Sequence, residues 1–199
     1  MKRVRGAIEN THDGWHSDLS YDPVPAKATL LHSIELPSRG GNTCFCNARL
    51  AYESLDESFK RDLDSLQAEF VYGGNKRNKS TQIAASALGE EGQASARAIH
   101  PVINAHAATG LPGIDVNPLM TTRILGVSPI ESDAMLNQLF DALDRSSVRF
   151  EHQWRVGDTL LWDNHGGLLH TGRLDYPRNE ARRFIRTPVS GTAIEPYVI

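Results

Sequence analysis

The sequence predicts a mainly β chain with helical insertions, folded as a double-stranded β-helix, or jelly roll. Strand-like segments stand at both ends of the 199-residue chain, helical periodicity is confined to internal stretches, and no regular βα alternation of the kind that builds a parallel sheet runs through it. With 40% hydrophobic and 23% charged residues, the length suits a single domain over 1–199 with a real core.

The elements follow in order. Residues 26–36 read as a strand, bounded by Pro23 and Pro25 before and by the turn-forming run Pro37 to Gly41 after. Thr43 to Cys46 restarts as a short strand. From Asn47 to Phe70, apolar residues at Leu50, Tyr52, Leu55, Phe59, Leu63 and Leu66 recur at mostly three and four positions, which predicts helix in two pieces. The Gly-, Ser- and Ala-rich stretch 72–99, with Lys76, Arg77 and Lys79, shows no apolar period and reads as a mobile loop or lid. Short strands follow near His100 to Asn104 and Gly113 to Val116. Ser128-Pro129-Ile130-Glu131 opens a helix with a capping box, and Met135, Leu136, Leu139, Phe140 and Leu143 give it a buried stripe. Val148 to Trp154, Thr159 to Trp162, Leu168 to His170 and Arg183 to Val189 return to strand.

A formal net charge of −3 provides no broad positive field, so the expected partner is a small molecule rather than nucleic acid. No apolar run approaches the ~20 residues that span a bilayer, which predicts no membrane partner. The only cysteines, Cys44 and Cys46, stand two apart with little freedom to form an unstrained bridge, and read as reduced thiols of a cytoplasmic protein.

The chemistry begins at His16-Ser17-Asp18, answered downstream by Trp162-Asp163-Asn164 and His170. Residues i and i+2 of a strand share a face, so His16 and Asp18 can bind one ion from a rigid edge, with a third ligand supplied by another strand. Two imidazoles and one carboxylate on one face of a metal, the other face open, is the arrangement of non-haem Fe(II) oxygenases.

The run from Trp15 to Thr43, the segments His100 to Gly110 and Val116 to Ile124, and the closing Trp154 to Asn164 with His170 and Arg182 to Gly191 together resemble the taurine dioxygenase and phenoxyacetate dioxygenase (TauD/TfdA) family. The resemblance covers the chain from about Gly14 to Gly191. It implies a jelly-roll oxidoreductase that uses Fe(II) and O2, with 2-oxoglutarate as cosubstrate, to hydroxylate a small metabolite with release of succinate and CO2. It also implies His16, Asp18 and His170 as metal ligands, and Thr43, Arg182 and Arg186 as cosubstrate-binding residues. A planar guanidinium holds a carboxylate through two parallel hydrogen bonds, and Arg186, on the strand face of Arg182, is equally placed for an anionic group of the substrate. Arg183 falls on the opposite face. The resemblance places Asn10, Trp15, Tyr21 and the Pro118-Leu119-Met120 stretch near the open face of the metal as candidate substrate contacts.

The chain departs from the family pattern in three places. The distal histidine of the family stands one residue nearer the Trp-Asp-Asn motif, so Gly166-Gly167 reads as an expanded turn and His165 as a rival ligand to His170. A further one-residue insertion before Arg182 leaves Arg183 as its rival. Only fifteen residues precede His16, where the family has a substantial segment. Its loss would expose a sheet edge and favour a homo-oligomer, and it makes a catalytically inactive metal- or metabolite-binding remnant the alternative to a working dioxygenase. A hydrolytic zinc site has no support, since neither a HExxH helix nor a Gly-x-Ser-x-Gly elbow is present.

Overall fold

The computed structural model describes residues 14–72 and 96–198. Strands β1 (Ala28–Glu35) and β2 (Thr43–Asn47) lead into helices α1 (Ala48–Glu53) and α2 (Glu57–Asp62). Then come β3 (Gln67–Val71), β4 (Arg97–Pro101), β5 (Ile103–Ala105), β6 (Pro112–Ile114), β7 (Thr121–Ile124) and helix α3 (Pro129–Leu143). The chain closes through β8 (Arg149–His152), β9 (Thr159–Asp163), β10 (Leu168–Gly172) and β11 (Arg183–Val189).

Local sequence accounts for the element ends. Asn47 accepts a hydrogen bond from the Leu50 amide and starts α1. Both arms of the capping box form at α3, the Glu131 amide donating to Ser128 Oγ and the Ser128 amide to Glu131 Oε2. Helix from Asn47 to Phe70 is corrected: α2 ends at Asp62, Ser65 adopts a left-handed φ of 61°, and β3 begins at Gln67. There the apolar spacing changes from helical to alternating, with Ala68 and Phe70 fully buried between the flanking strands β4 and β7. Strand β7 has no counterpart in the sequence reading. Of the stretch 72–99, expected as a loop or lid, residues 73–95 lie outside the described residues, and Arg97 to Ile99 belong to β4.

Two antiparallel three-stranded sheets carry the site, one ordered β11-β1-β9 and the other β10-β2-β8. They pack face to face through aromatic rings: Phe45 of β2 meets Trp162 of β9 at 5.3 Å, and Trp154, just past β8, meets Phe184 of β11 at 4.7 Å. A third sheet, β4-β3-β7, and helices α1 and α3 enclose the main apolar core around Leu63, Phe70, Ile114, Val116, Leu139 and Leu143. Each large apolar side chain buried there contributes about 1.5–3 kcal/mol. The space between the first two sheets holds a different population, because Asp18, Thr29, Thr43, Asn164 and His170 are all buried there. Buried polar groups in such number require mutual hydrogen bonds or a ligand.

Cys44 and Cys46 are free thiols. Cys46 donates to the Leu143 carbonyl, and burial pushes its thiol up to about 12. Among the described residues no helix is long and apolar enough to cross a membrane.

Candidate metal centre

His16 and His170 are brought together by backbone pairing. The His16 amide donates to the His170 carbonyl at 3.1 Å and the His170 amide returns a 2.9 Å bond, so the two residues form an antiparallel bridge at the end of β10. Directly opposed residues send their side chains to the same face, and the imidazole centroids are 4.2 Å apart. Asp18, two residues after His16, turns to that face as well. One ligand atom from each of His16, Asp18 and His170 lies within 4.8 Å of the others.

The donor set fits a divalent cation. Nδ1 of His16 faces the Gly14 carbonyl at 2.9 Å, and a carbonyl can only accept, so Nδ1 is the donor there and Nε2 is the nitrogen left for a metal. Nδ1 of His170 is buried without a hydrogen-bond partner, and its Nε2 stands 3.9 Å from Asp18 Oδ2, beyond hydrogen-bond reach. Burial, reinforced by the neighbouring His16 ring, holds the His170 imidazole neutral far below the usual histidine range. Burial also opposes ionisation of Asp18, but its charged and hydrogen-bonding surroundings, the Thr29 hydroxyl and the Arg186 guanidinium among them, outweigh it and hold the carboxyl below its usual range. A neutral His170 imidazole, the His16 ring and an ionised Asp18 carboxylate leave the remaining coordination positions of a metal open.

Both Asp18 oxygens are engaged. Thr29 Oγ1 donates to Oδ2 at 2.5 Å, and Arg186 Nη1 donates to Oδ1 at 2.7 Å. Arg186 comes from β11 and its side chain is half-exposed, so the guanidinium is accessible from solvent. Tyr21 lies in the same electrostatic neighbourhood and stacks against Tyr72 at 5.0 Å; burial raises its phenol above the usual range.

A second cluster joins Thr43 and Arg182. Arg182 donates from Nε to the Gly41 carbonyl at 2.7 Å and from Nη2 to Thr43 Oγ1 at 3.3 Å, and its guanidinium stacks 4.3 Å over the Phe184 ring. Trp154 Nε1 also donates to Thr43 Oγ1, at 3.0 Å. Indole and guanidinium nitrogens only donate, so the Thr43 hydroxyl accepts from both and keeps its own proton for an incoming acceptor. Burial lowers the basicity of Arg182, and among the described residues no carboxylate figures among the groups acting on its charge. The positive φ of Gly41, 73°, brings the chain close under Arg182, where a Cβ would stand 3.1 Å from the arginine Cδ.

Other candidates fall elsewhere. Arg183 faces outward and pairs with Glu35 at 3.3 Å. His165 is buried beside Pro25 and Gly191 and is not among the three converging groups. Trp15, expected near the open face, is instead fully buried and donates from Nε1 to Asp144 at the end of α3; the alternation that sends His16 and Asp18 inward sends Trp15 the other way. Leu119 and Met120, expected beside the pocket, belong to the apolar core, where the Met120 amide is bonded to Asn117 Oδ1. Asn10 lies outside the described residues. Thr29 and Trp154 were not singled out by the sequence reading.

The profile of the Taurine catabolism dioxygenase TauD, TfdA family matches residues 2–187. A (S)-phenoxypropionate/alpha-ketoglutarate-dioxygenase of Sphingobium herbicidovorans is 34% identical over 179 residues, covering 85% of this chain and 58% of that protein. The crystal structure of a taurine dioxygenase from Burkholderia xenovorans superposes with a TM-score of 0.78 at 25% identity, over 98% of this chain and 60% of that one. That of AAD-2 in complex with Mn(II) and N-oxalylglycine gives 0.78 at 27% identity, over 92% and 69%. The fold is the jelly roll of these neighbours, and the chain spans about half the length of the curated relatives it matches.

Proposed function

Since the chain belongs to the TauD/TfdA family, we propose that it acts as an Fe(II)- and 2-oxoglutarate-dependent dioxygenase that hydroxylates a small organic anion. The observation that carries this reading is the convergence of His16, Asp18 and His170, three donors joined by no fourth His, Cys, Asp or Glu among the described residues. Bound there, ferrous iron and 2-oxoglutarate supply O2 activation, one oxygen atom entering the substrate and the other the succinate left by decarboxylation.

The protein's own groups hold and orient. His16 and His170 present ring nitrogens, and Asp18 contributes the negative charge that offsets part of the cation's. Thr43 and Arg182 are suited to the distal carboxylate of the cosubstrate, one through a free hydroxyl proton and the other through a buried guanidinium. N-oxalylglycine, present in one structural neighbour, has the same spacing of carboxylates as 2-oxoglutarate. Arg186, accessible and within reach of Asp18, would receive an anionic group of the substrate. The names of two similar proteins, which refer to phenoxypropionate and taurine, support an organic acid as substrate class.

Anaerobic addition of Fe(II) and then 2-oxoglutarate should produce the visible charge-transfer absorption of a chelated 2-oxo acid. Admission of O2 should then yield succinate. Folded protein that shows neither feature would refute the proposal, and the visible absorption without succinate would favour the inactive remnant.

A further inference from the structure

Beside the candidate ligands, the buried interior contains a chain of hydrogen bonds whose direction is fixed at every link. Trp162 Nε1 donates to Asn164 Oδ1 at 3.0 Å. Asn164 Nδ2 donates to Thr29 Oγ1 at 2.9 Å. Thr29 Oγ1 donates to Asp18 Oδ2 at 2.5 Å. An indole N–H cannot accept, so the Asn164 amide must turn its oxygen to Trp162 and its nitrogen to Thr29. An amide nitrogen cannot accept either, so Thr29 must direct its single hydrogen elsewhere, and the ionised Asp18 is the acceptor present. All four side chains are buried.

We propose that Trp162, Asn164 and Thr29 form a one-directional relay that fixes the Asp18 carboxylate in the orientation the metal centre requires, with Thr29 as the positioning residue. The inference rests on the reading of Asp18 as a metal ligand. Its geometric basis is strand pairing: Thr29 of β1 lies opposite Trp162 of β9, and the Asn164 amide bonds to the Lys27 carbonyl, so strand register delivers the whole relay to Asp18. Ser17 Oγ donates to the Asn164 carbonyl and ties the His16–Asp18 segment to the same strand end. The Trp162 ring also lies 4.7 Å from the His170 imidazole, so one residue touches one candidate ligand directly and reaches another through the relay. Oδ2, the oxygen that Thr29 grips, is the one facing His170 Nε2.

The relay assigns a task to each polar atom that the Trp-Asp-Asn motif buries. Asp163, between Trp162 and Asn164, points away and pairs with His106 at 2.8 Å, which explains why the middle residue of the motif takes no part.

The test is Co(II) binding to the full chain, followed by the visible d–d spectrum and by titration, with 2-oxoglutarate omitted. Thr29→Val keeps the shape of the side chain and removes the hydroxyl; loss of an outer hydrogen bond to a ligand costs roughly 10- to 100-fold in metal affinity. The expected result is that loss together with an altered Co(II) spectrum, while Thr29→Ser restores both. Trp162→Phe keeps the ring on His170 and removes only the indole donor, and is expected to weaken Co(II) binding less than Thr29→Val does. Should Thr29→Val not fold, Trp162→Phe decides alone, and wild-type affinity and spectrum would overturn the relay. Folded Thr29→Val with wild-type affinity and spectrum would overturn it equally. Asp18→Ala separates the two layers: undiminished Co(II) binding there would refute Asp18 as a ligand, and with it the reading on which the relay depends.

Discussion

Replacing Arg182 by lysine should weaken 2-oxoglutarate binding while leaving metal binding intact. A guanidinium has five N–H donors. Nε is committed to the Gly41 carbonyl and one Nη2 hydrogen to Thr43 Oγ1, so three donors remain, enough for both oxygens of a carboxylate with one to spare. An ammonium group has three donors on a single atom. If lysine kept the contacts to Gly41 and Thr43, it would have one donor left for the cosubstrate, and the parallel pair of bonds would be lost. One charge-assisted hydrogen bond is worth about 1.5–3 kcal/mol, which predicts a weakening of roughly 10- to 150-fold. Lysine would also leave the Phe184 face without its planar partner.

The assay is calorimetric titration of 2-oxoglutarate into Mn(II)-loaded protein, in which turnover does not intervene. Arg183→Lys is the control, because Arg183 is exposed and pairs with the exposed Glu35; such pairs contribute about 0–1 kcal/mol. If Arg182→Lys folds, binds Mn(II) normally and retains wild-type affinity for 2-oxoglutarate, the assignment of the carboxylate to Arg182 is wrong. A loss in Arg183→Lys instead would transfer the role to that residue.

Three further outcomes are expected. Gly166→Ala should lower stability by about 2–4 kcal/mol in urea unfolding, because φ is 74° and the new Cβ would collide with the buried Asn104 side chain; an unchanged midpoint would contradict this. Asp115 is fully buried, and burial raises its carboxyl to about 7 despite the hydrogen bond from Asn104. The native state therefore holds a proton that the unfolded chain releases, so the stability this group contributes is full below about pH 4 and is lost as pH rises through about 7. Unfolding of wild type and Asp115→Asn at about pH 5 and about pH 8 should show the wild type losing ground at the higher pH, and parallel behaviour would refute the raised value. Neither thiol should react with an aromatic disulfide reagent in native protein, since burial raises both Cys44 and Cys46 above the usual range, whereas both should react in urea; rapid native labelling would contradict that burial.

What the sequence reveals of this site is what strand periodicity can carry. His16 and Asp18 share a face because they are two apart, and Arg182, Phe184 and Arg186 do so by the same rule. The same alternation, applied one residue earlier, sends Trp15 to the opposite face, where its indole meets Asp144. Thr29 and Trp154 are different. Thr29 is held by Asn164 and Trp154 reaches Thr43, partners more than a hundred positions away in the chain, and only the register of β1 on β9 or the packing of Trp154 onto β2 reveals these contacts. Leu119 and Met120 lie in the apolar core, and in sequence an apolar run looks the same whether it lines a pocket or fills a core. At the end of α2, Leu66 extends the helical spacing by one apolar residue, but Ser65 has already left the helix.

The origin of the candidate ligands makes metal binding a property of the whole sandwich. His16 is positioned by β10, and Asp18 by β1 through Thr29 and by β11 through Arg186; Thr29 is in turn fixed by the end of β9. No two adjacent elements could assemble this set, so the unfolded chain has no comparable site. A metal that binds only the native state stabilises it by RT ln(1 + [M]/Kd), about 2.7 kcal/mol at a hundredfold excess over Kd. The thermal midpoint should therefore rise with Co(II) concentration in wild-type protein. It should rise less in Thr29→Val at the same concentrations, because a weaker Kd enters the same logarithm. A midpoint insensitive to Co(II) in wild type would mean that the three side chains approach one another without forming a metal site, whatever their geometry suggests.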